Sequence, residues 1–147
     1  MMLPDAEATD AAGRLLAPLL QSGDVIALSG DLGAGKTSFA RGILAGLGFQ
    51  EEAPSPSFAL VIPYAPPALR LPVWHVDLYR LDDPKEAEEL GLDDALCDSA
   101  LLIEWPEKLG DRLWPNALKI TLSDHANGGR RLTVSVPPSW ESRCPFR

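Results

Sequence analysis

The sequence has 147 residues, of which 46% are hydrophobic and 23% charged, enough for one globular domain with an apolar core. The sequence contains no apolar run of membrane-spanning length, and its N-terminal residues lack the basic-then-apolar order of a signal peptide. Cys97 and Cys144 lack the spacing of metal ligands. We therefore expect a cytoplasmic protein without a disulfide. The net charge of −8 has two possible interpretations. It serves solubility alone, or any nucleic acid on which the protein acts is bound by a partner, because an acidic protein is repelled by the phosphate backbone.

The first two predicted elements lead up to the most informative part of the chain. A helix is predicted over residues 5–21, where leucines recur on one face. Pro18 lacks a backbone N–H, so we expect the helix to kink or end near it. The short apolar run over residues 25–29 then predicts a buried parallel strand.

Residues 30–37 match the phosphate-loop pattern G-x-x-x-x-G-K-[ST] at every fixed position, between this strand and a predicted helix. The glycines allow backbone N–H groups to converge on a phosphate. Lys36 can reach the β and γ phosphates, and the Thr37 hydroxyl can ligate Mg²⁺. The motif therefore predicts binding of a nucleoside triphosphate with Mg²⁺. The predicted nucleotide-binding residues of this stretch are Gly30, Asp31, Leu32, Gly33, Ala34, Gly35, Lys36, Thr37 and Ser38.

Residues 51–58 contain two prolines and two serines, a composition typical of a surface loop. Their position after the phosphate-loop helix favours a second interpretation, because the corresponding segment of nucleotide-hydrolysing proteins often senses the γ-phosphate and Mg²⁺. Ser55 or Ser57 could supply the hydroxyl for such a switch-like role. Both interpretations remain open from composition alone.

Strand-like runs at residues 58–62 and 73–77 flank a stretch rich in proline and alanine, which predicts a hairpin and hence a mixed sheet. Asp77 lies at the end of the second run, where a metal-orienting acid of the Walker B kind is expected. An exposed strand-end carboxylate without a role is the alternative.

The next segment is acidic and predicts a helix over residues 82–98, broken near Gly91, with a solvated face. A second apolar strand then ends in Glu104, which competes with Asp77 for the metal-orienting role or divides the work with it. A carboxylate at this place can also polarise an attacking water. Trp105 belongs to the core or an interface, or stacks on a nucleotide base.

Alternating residues from Lys119 onward, separated by Asn-Gly-Gly at 127–129, predict a C-terminal β-hairpin. The pattern as a whole predicts the α/β class. We expect a single P-loop NTPase domain over residues 1–147, with a central mixed, mostly parallel sheet flanked by helices.

Several stretches together resemble one family, the bacterial TsaE (also called YjeE) family of small P-loop ATPases in tRNA threonylcarbamoyladenosine biosynthesis. They are GDLGAGKTSFARG (30–42), SPSF (55–58), HVDLYRL (75–81), ELGL (89–92) and IEWPE (103–107). The resemblance covers about residues 5–115, and the C-terminal hairpin adds no diagnostic residue.

The resemblance implies a protein that binds ATP or ADP with Mg²⁺, hydrolyses ATP poorly alone and works with the TsaB–TsaD complex. Hydrolysis would reset that complex between rounds, while TsaD transfers the threonylcarbamoyl group to tRNA. This chain would accordingly meet tRNA only indirectly, through the complex.

By position, the resemblance implies that Lys36 and Thr37 hold phosphates and Mg²⁺, that Asp77 is a metal-associated acid, and that Glu104 is important for hydrolysis, with Trp105 near the nucleotide. The implied catalytic residues are Glu104, Asp77 and Lys36, and the implied metal ligands are Thr37, Asp77 and Glu104.

Two further positions match the family less completely. Ser57 stands where the family usually has threonine, which keeps the hydroxyl and loses a methyl group. Arg80 matches the arginine of the family's D-x-Y-R stretch, and its contact could be a phosphate, a carboxylate or the partner.

Two other classes of function compete with this interpretation. A small-molecule kinase would need an acceptor pocket and an arginine-bearing lid, for which the chain has no obvious segment. A nucleotide-dependent binding module with incidental hydrolysis would share every motif named above. A GTPase is disfavoured because the guanine-reading Asn-Lys-x-Asp pattern is absent.

Overall fold

The computed structural model describes residues 1–31, 35–54, 56, 60–125 and 128–146. Within these ranges the strands are β1 (Met2–Leu3), β2 (Val25–Ser29), β3 (Val61–Tyr64), β4 (Val73–Asp77), β5 (Ala100–Glu104), β6 (Leu118–Asp124) and β7 (Arg130–Ser135). The helices are α1 (Ala6–Leu16), α2 (Lys36–Gly46) and α3 (Leu92–Ala95), and 3₁₀ segments span Ala17–Leu19, Pro84–Leu90, Pro106–Arg112 and Pro138–Trp140. None of the helices in the described ranges has the length and apolar character needed to cross a bilayer.

The described strands form one mixed sheet in the order β1-β7-β6-β2-β5-β4-β3. Its four central strands, β6, β2, β5 and β4, are parallel, and the outer pairs are antiparallel. Because β2 lies between β5 and β6, the loop that follows it emerges at the edge where all four parallel strands end. The predicted mixed sheet, the β3–β4 hairpin and the C-terminal β6–β7 hairpin are confirmed.

The core has two parts, one on each face of the sheet. Along β2, Ile26 and Leu28 belong to the part that includes α1 and α2, whereas Val25 and Ala27 belong to the part that includes α3. This alternation is the period-2 pattern of a strand buried on both faces.

Helices α1 and α2 touch through their backbones at glycine positions. A Cβ atom on Gly42 would lie 2.2 Å from the carbonyl oxygen of Asp10, and one on Gly13 would lie 2.3 Å from that of Phe39. No side chain fits in either gap. The two helices therefore pack as closely as their main chains permit.

Hydrogen bonds connect the C-terminal segment to the turn before β2. Arg143 donates two hydrogen bonds of 2.7 Å to the carboxylate of Asp24, and its guanidinium lies 3.7 Å from the ring centroid of the buried Trp140. The same arginine donates to the carbonyl oxygen of Leu19. A distant part of the chain thus fixes the entry into the phosphate-loop strand.

The predicted kink or end of the first helix near Pro18 is confirmed, although the helix does not extend to the predicted bound at residue 21. Helix α1 ends at Leu16, and a 3₁₀ segment containing Pro18 follows it, because proline cannot donate the next helical hydrogen bond. Strand β3 begins at Val61, and Leu60, which the predicted strand included, lies outside it with a positive φ of 65°. The first predicted strand residues, 58 and 59, lie outside the described residues.

The acidic segment and the N-terminus also differ from expectation. The predicted break at Gly91 is confirmed by its φ of 71°, but the part before it is a 3₁₀ segment. Strand β1 was not predicted, since its two residues are too few to show a period. It pairs with β7 at the edge of the sheet.

Candidate functional site

The phosphate-loop motif lies between β2 and α2, as its sequence context predicted. Gly30 and Gly35 have φ values of 146° and 101°, which residues with a side chain rarely adopt, and Gly35 precedes the first residue of α2. The first N–H groups of a helix have no partner within it and form a natural anion site. The loop residues Leu32, Gly33 and Ala34 lie outside the described residues.

Lys36 is nearly enclosed, with 5% of its surface exposed. Its ammonium donates hydrogen bonds to the carbonyl oxygens of Gly30 (2.5 Å) and Asp31 (2.9 Å) and lies 4.1 Å from the ring centroid of Trp105. Burial lowers the pKa of Lys36, and this effect is opposed by the neighbouring carboxylates of Glu104, Glu107, Asp77 and Asp31. Because a poorly hydrated cation has little water to lose, it can bind an anion strongly.

Thr37 and Glu104 meet across the site. The Thr37 hydroxyl, in the first turn of α2, donates to Glu104 at 3.2 Å from Oε1 and 3.4 Å from Oε2. Glu104 is the last residue of β5 and is buried. The residue types expected to bind phosphate, metal and water are therefore brought together at the end of the parallel strands.

Asp77 and Glu104 end neighbouring strands and are paired in the register of β4 and β5. The carboxylate of Asp77 accepts a hydrogen bond of 2.9 Å from the N–H of Tyr79, which fixes its orientation at the turn after the strand. Both carboxylates raise the pKa of Lys36, in opposition to the lowering by burial. The two candidates for the metal-orienting role thus lie side by side at the ends of β4 and β5, and that role stays a prediction.

A buried histidine belongs to the same cluster and was missed by the sequence analysis. Nε2 of His75 lies 2.6 Å from Oε2 of Glu104, and neither side chain has more than 4% of its surface exposed. His75 precedes Asp77 by two positions in β4, so both face the same side of the sheet. That spacing was the available signal, although a lone histidine in an apolar strand usually indicates only a core position.

Trp105 follows Glu104 and has a left-handed backbone with a φ of 62°. Its ring contacts that of Tyr79, with centroids 4.9 Å apart, and Tyr79 is about half exposed. Arg80 follows in the same turn and is exposed. Trp105 and Arg80 thus lie on the Glu104 side of the phosphate loop, and the predicted switch-like residues Ser55 and Ser57 lie outside the described residues.

A cavity of about 390 Å³ opens on the opposite side of the loop. Ser38 and Gly35 line it from the start of α2, Thr9 lines it from α1, and Gly129 and Arg130 line it from the β6–β7 connection. Since β6 and β5 flank β2 on opposite sides, the cavity and Glu104 lie on either side of the phosphate loop. Sequence reasoning missed Thr9 and Arg130 because only tertiary packing brings them to the loop.

The described residues contain no group of three or more histidine, cysteine or acidic side chains that could hold a metal ion. Mg²⁺ commonly uses one or two protein oxygens together with phosphate and water. The Thr37 hydroxyl and the carboxylates of Glu104 and Asp77 offer oxygen donors of this kind. The site therefore suits a metal ion that arrives with a phosphate ligand.

Comparison with known proteins identifies relatives over most of the chain. The family model "Threonylcarbamoyl adenosine biosynthesis protein TsaE" matches residues 3–132. A tRNA threonylcarbamoyladenosine biosynthesis protein TsaE from Bacillus subtilis is 36% identical over 140 residues, which cover 94% of this chain and 86% of the relative. The protein of the same name from Streptomyces coelicolor is 39% identical over 128 residues, covering 84% of this chain and 86% of the relative.

A solved structure shows the same fold. The crystal structure of YdiB from Bacillus subtilis superposes with a TM-score of 0.81 and 29% sequence identity, and the match covers 97% of this chain and 88% of YdiB. The similarity therefore includes the C-terminal hairpin, beyond the stretches that carried the resemblance in sequence.

Proposed function

The chain belongs to the TsaE family of P-loop NTPases, and we propose that it binds and slowly hydrolyses Mg-ATP in support of tRNA threonylcarbamoyladenosine biosynthesis. The observation that carries the proposal is the contact between the Thr37 hydroxyl and Glu104 beside the enclosed ammonium of Lys36. A phosphate-binding cation, a metal-binding hydroxyl and a buried acid are the groups that phosphoryl transfer to water requires.

Each of these side chains has a distinct task in the proposal. Lys36 and the first N–H groups of α2 bind the β and γ phosphates. Thr37 would hold Mg²⁺ with Asp77 or Glu104, and the bound ion would supply positive charge next to the phosphate oxygens. Glu104 orients the attacking water, because its buried carboxylate is an acceptor fixed next to the phosphate site.

The nucleoside end of ATP would occupy the cavity lined by Thr9, Ser38 and Arg130. This direction follows from the opposite placement of the cavity and Glu104, since the γ-phosphate must reach Glu104. Photolabelling with 8-azido-ATP tests it. Labelled peptides should come from the Thr9 and Arg130 regions, and labelling confined to Tyr79 and Trp105 would contradict this orientation.

The proposed partner is the TsaB–TsaD complex, which would bring tRNA within reach of the reaction. Two observations support this. The relatives carry the name of the biosynthetic pathway, and the net charge of −8 makes direct binding to tRNA unfavourable. In this proposal hydrolysis by the chain resets the complex between rounds of modification.

The test is Mg-ATP hydrolysis by the purified chain, alone and with TsaB–TsaD. We expect slow turnover alone, clear stimulation by the complex and loss of both in Lys36→Ala. Lys85→Ala, which removes an exposed lysine outside the site, serves as the control for lost charge. Tight ATP binding without any stimulation would contradict the proposed role and favour a small-molecule kinase.

A further inference from the structure

The contact between His75 and Glu104 is an enclosed polar interaction of the candidate site. The Nε2 to Oε2 distance is 2.6 Å, and the imidazole is fully buried. His75 lies two register positions before the Asp77–Glu104 pair that ends β4 and β5. Its contact with the site is made through Glu104.

The position of His75 would ordinarily hold an apolar side chain. Val73 lies two residues earlier on the same face of β4, and Leu102 is the register partner of His75 on β5. Both belong to the apolar core beneath α1 and α2. A buried polar pair is often no more stable than a well-packed apolar one, so stability alone does not account for an imidazole here.

The hydrogen bonding of the ring assigns its proton. Glu104 can only accept when ionised, so Nε2 must be the donor. Among the described residues, Nδ1 of His75 has no hydrogen-bond partner. A buried N–H at Nδ1 without a partner would cost free energy in the core. Without a hydrogen, Nδ1 leaves only a hydrogen-bond acceptor unpaired. The contact therefore places a ring hydrogen on Nε2, directed at Glu104.

We infer that His75 is a positioning residue that fixes the carboxylate of Glu104 for its action at the phosphate site. The Nε2–H group holds Oε2 from below, and Oε1 remains directed at the Thr37 hydroxyl, 3.2 Å away. This inference rests on the proposed hydrolysis, in which Glu104 must present an oxygen to water or metal. Without His75, the carboxylate could rotate about its last bonds and lose that direction.

The kinetic test compares three substitutions of His75. His75→Gln keeps an N–H donor at the same number of bonds from Cα as Nε2, His75→Asn places the donor one bond short, and His75→Leu removes it. We expect His75→Leu and His75→Asn to lower kcat about 10- to 100-fold with KM for ATP changed less than about threefold. His75→Gln should recover most of the loss.

Val73→Ala is the matched control, because it also disturbs a fully buried side chain on the same face of β4. It should lower the melting temperature while leaving kcat within about twofold. Equal activity of His75→Leu and the wild type would overturn the inference. So would equal losses in His75→Gln and His75→Leu, since a restored donor would then have no effect.

Nitrogen NMR of the imidazoles tests the hydrogen bond without any turnover. The chain has only two histidines, so His125 provides an internal reference. We expect a slowly exchanging hydrogen on Nε2 of His75 that is lost in Glu104→Leu while the signals of His125 stay unchanged. An Nδ1–H tautomer would overturn the inference. A wild-type protein with this signature but no hydrolysis would instead overturn the proposed function.

Discussion

The ammonium of Lys36 lies over the face of Trp105, 4.1 Å from the centroid of its ring. This cation–π contact joins the start of α2 to the residue that follows β5. The carboxylates of the site act electrostatically on the same ammonium. A phosphate that draws Lys36 toward itself must compete with the ring. The pair thus connects nucleotide binding to the surroundings of one tryptophan.

Intrinsic fluorescence should therefore report nucleotide binding through Trp105. We expect a change of emission on adding Mg-ATP to the wild type, because the charge next to the indole moves. The change should persist in Trp114→Phe, whose indole bonds to Asp93 away from the site, and disappear in Trp105→Phe. A response that survives Trp105→Phe would show that another tryptophan reports nucleotide binding, and would contradict the assignment to Trp105.

Lys36→Met should raise the stability of the folded chain at neutral pH while abolishing nucleotide binding. Burial lowers the pKa of Lys36 from 10.5, so the cost of burying the charge is fully present below the folded-state pKa. Between the folded-state pKa of Lys36 and the ordinary value of 10.5, the unfolded chain binds more protons than the folded chain. The destabilisation caused by the buried charge of the wild type therefore becomes smaller as the pH rises toward 10.5. Urea unfolding at several pH values should show a gain that shrinks with pH, and the exposed Lys85→Met should show none.

Glu104→Gln should lower kcat by about 100-fold or more while changing the affinity for Mg-ATP far less, because a water-orienting carboxylate acts chiefly in the transition state. Glu86→Gln removes an exposed acidic charge in the Pro84–Leu90 segment and should leave kcat nearly unchanged. Calorimetric titration beside steady-state kinetics separates the two effects. Parallel losses of binding and turnover would place Glu104 mainly in the metal shell.

Arg143→Ala should lower the free energy of unfolding by about 2–4 kcal/mol, because it leaves the mostly buried carboxylate of Asp24 without its charge partner. Arg14→Ala breaks an exposed ion pair with Asp10 and should cost less than about 1 kcal/mol. Urea titrations of the two variants give the comparison. Similar losses in both would show that the Asp24 pair adds nothing specific.

The phosphate loop and the strand-end acids could be predicted because their signals are local. The loop has a fixed pattern between a strand and a helix, and the parallel strands bring Asp77 and Glu104 to one edge of the sheet. The structure agrees with that convergence, and the roles of these residues remain predictions. The mixed sheet and both hairpins followed from alternation and turn residues in the same way.

Other features depend on tertiary context and gave no local signal. His75 has the pattern of an ordinary core residue until its neighbour on β5 is known. Thr9 lies next to the start of α2 only because α1 packs against α2. The segment Pro84–Leu90 has no apolar period that would distinguish a 3₁₀ helix from an α-helix. Such features require the fold before they can be identified.

The backbone contact of α1 and α2 at Gly13 and Gly42 has a mechanical consequence. At these two positions no side chain separates the helices, so no rotamer change there could absorb a displacement. If α2 shifts at the phosphate loop, α1 would move with it as one rigid body. The outer surface of α1 would then move with the state of the nucleotide, although it lies a full helix diameter away from the phosphates.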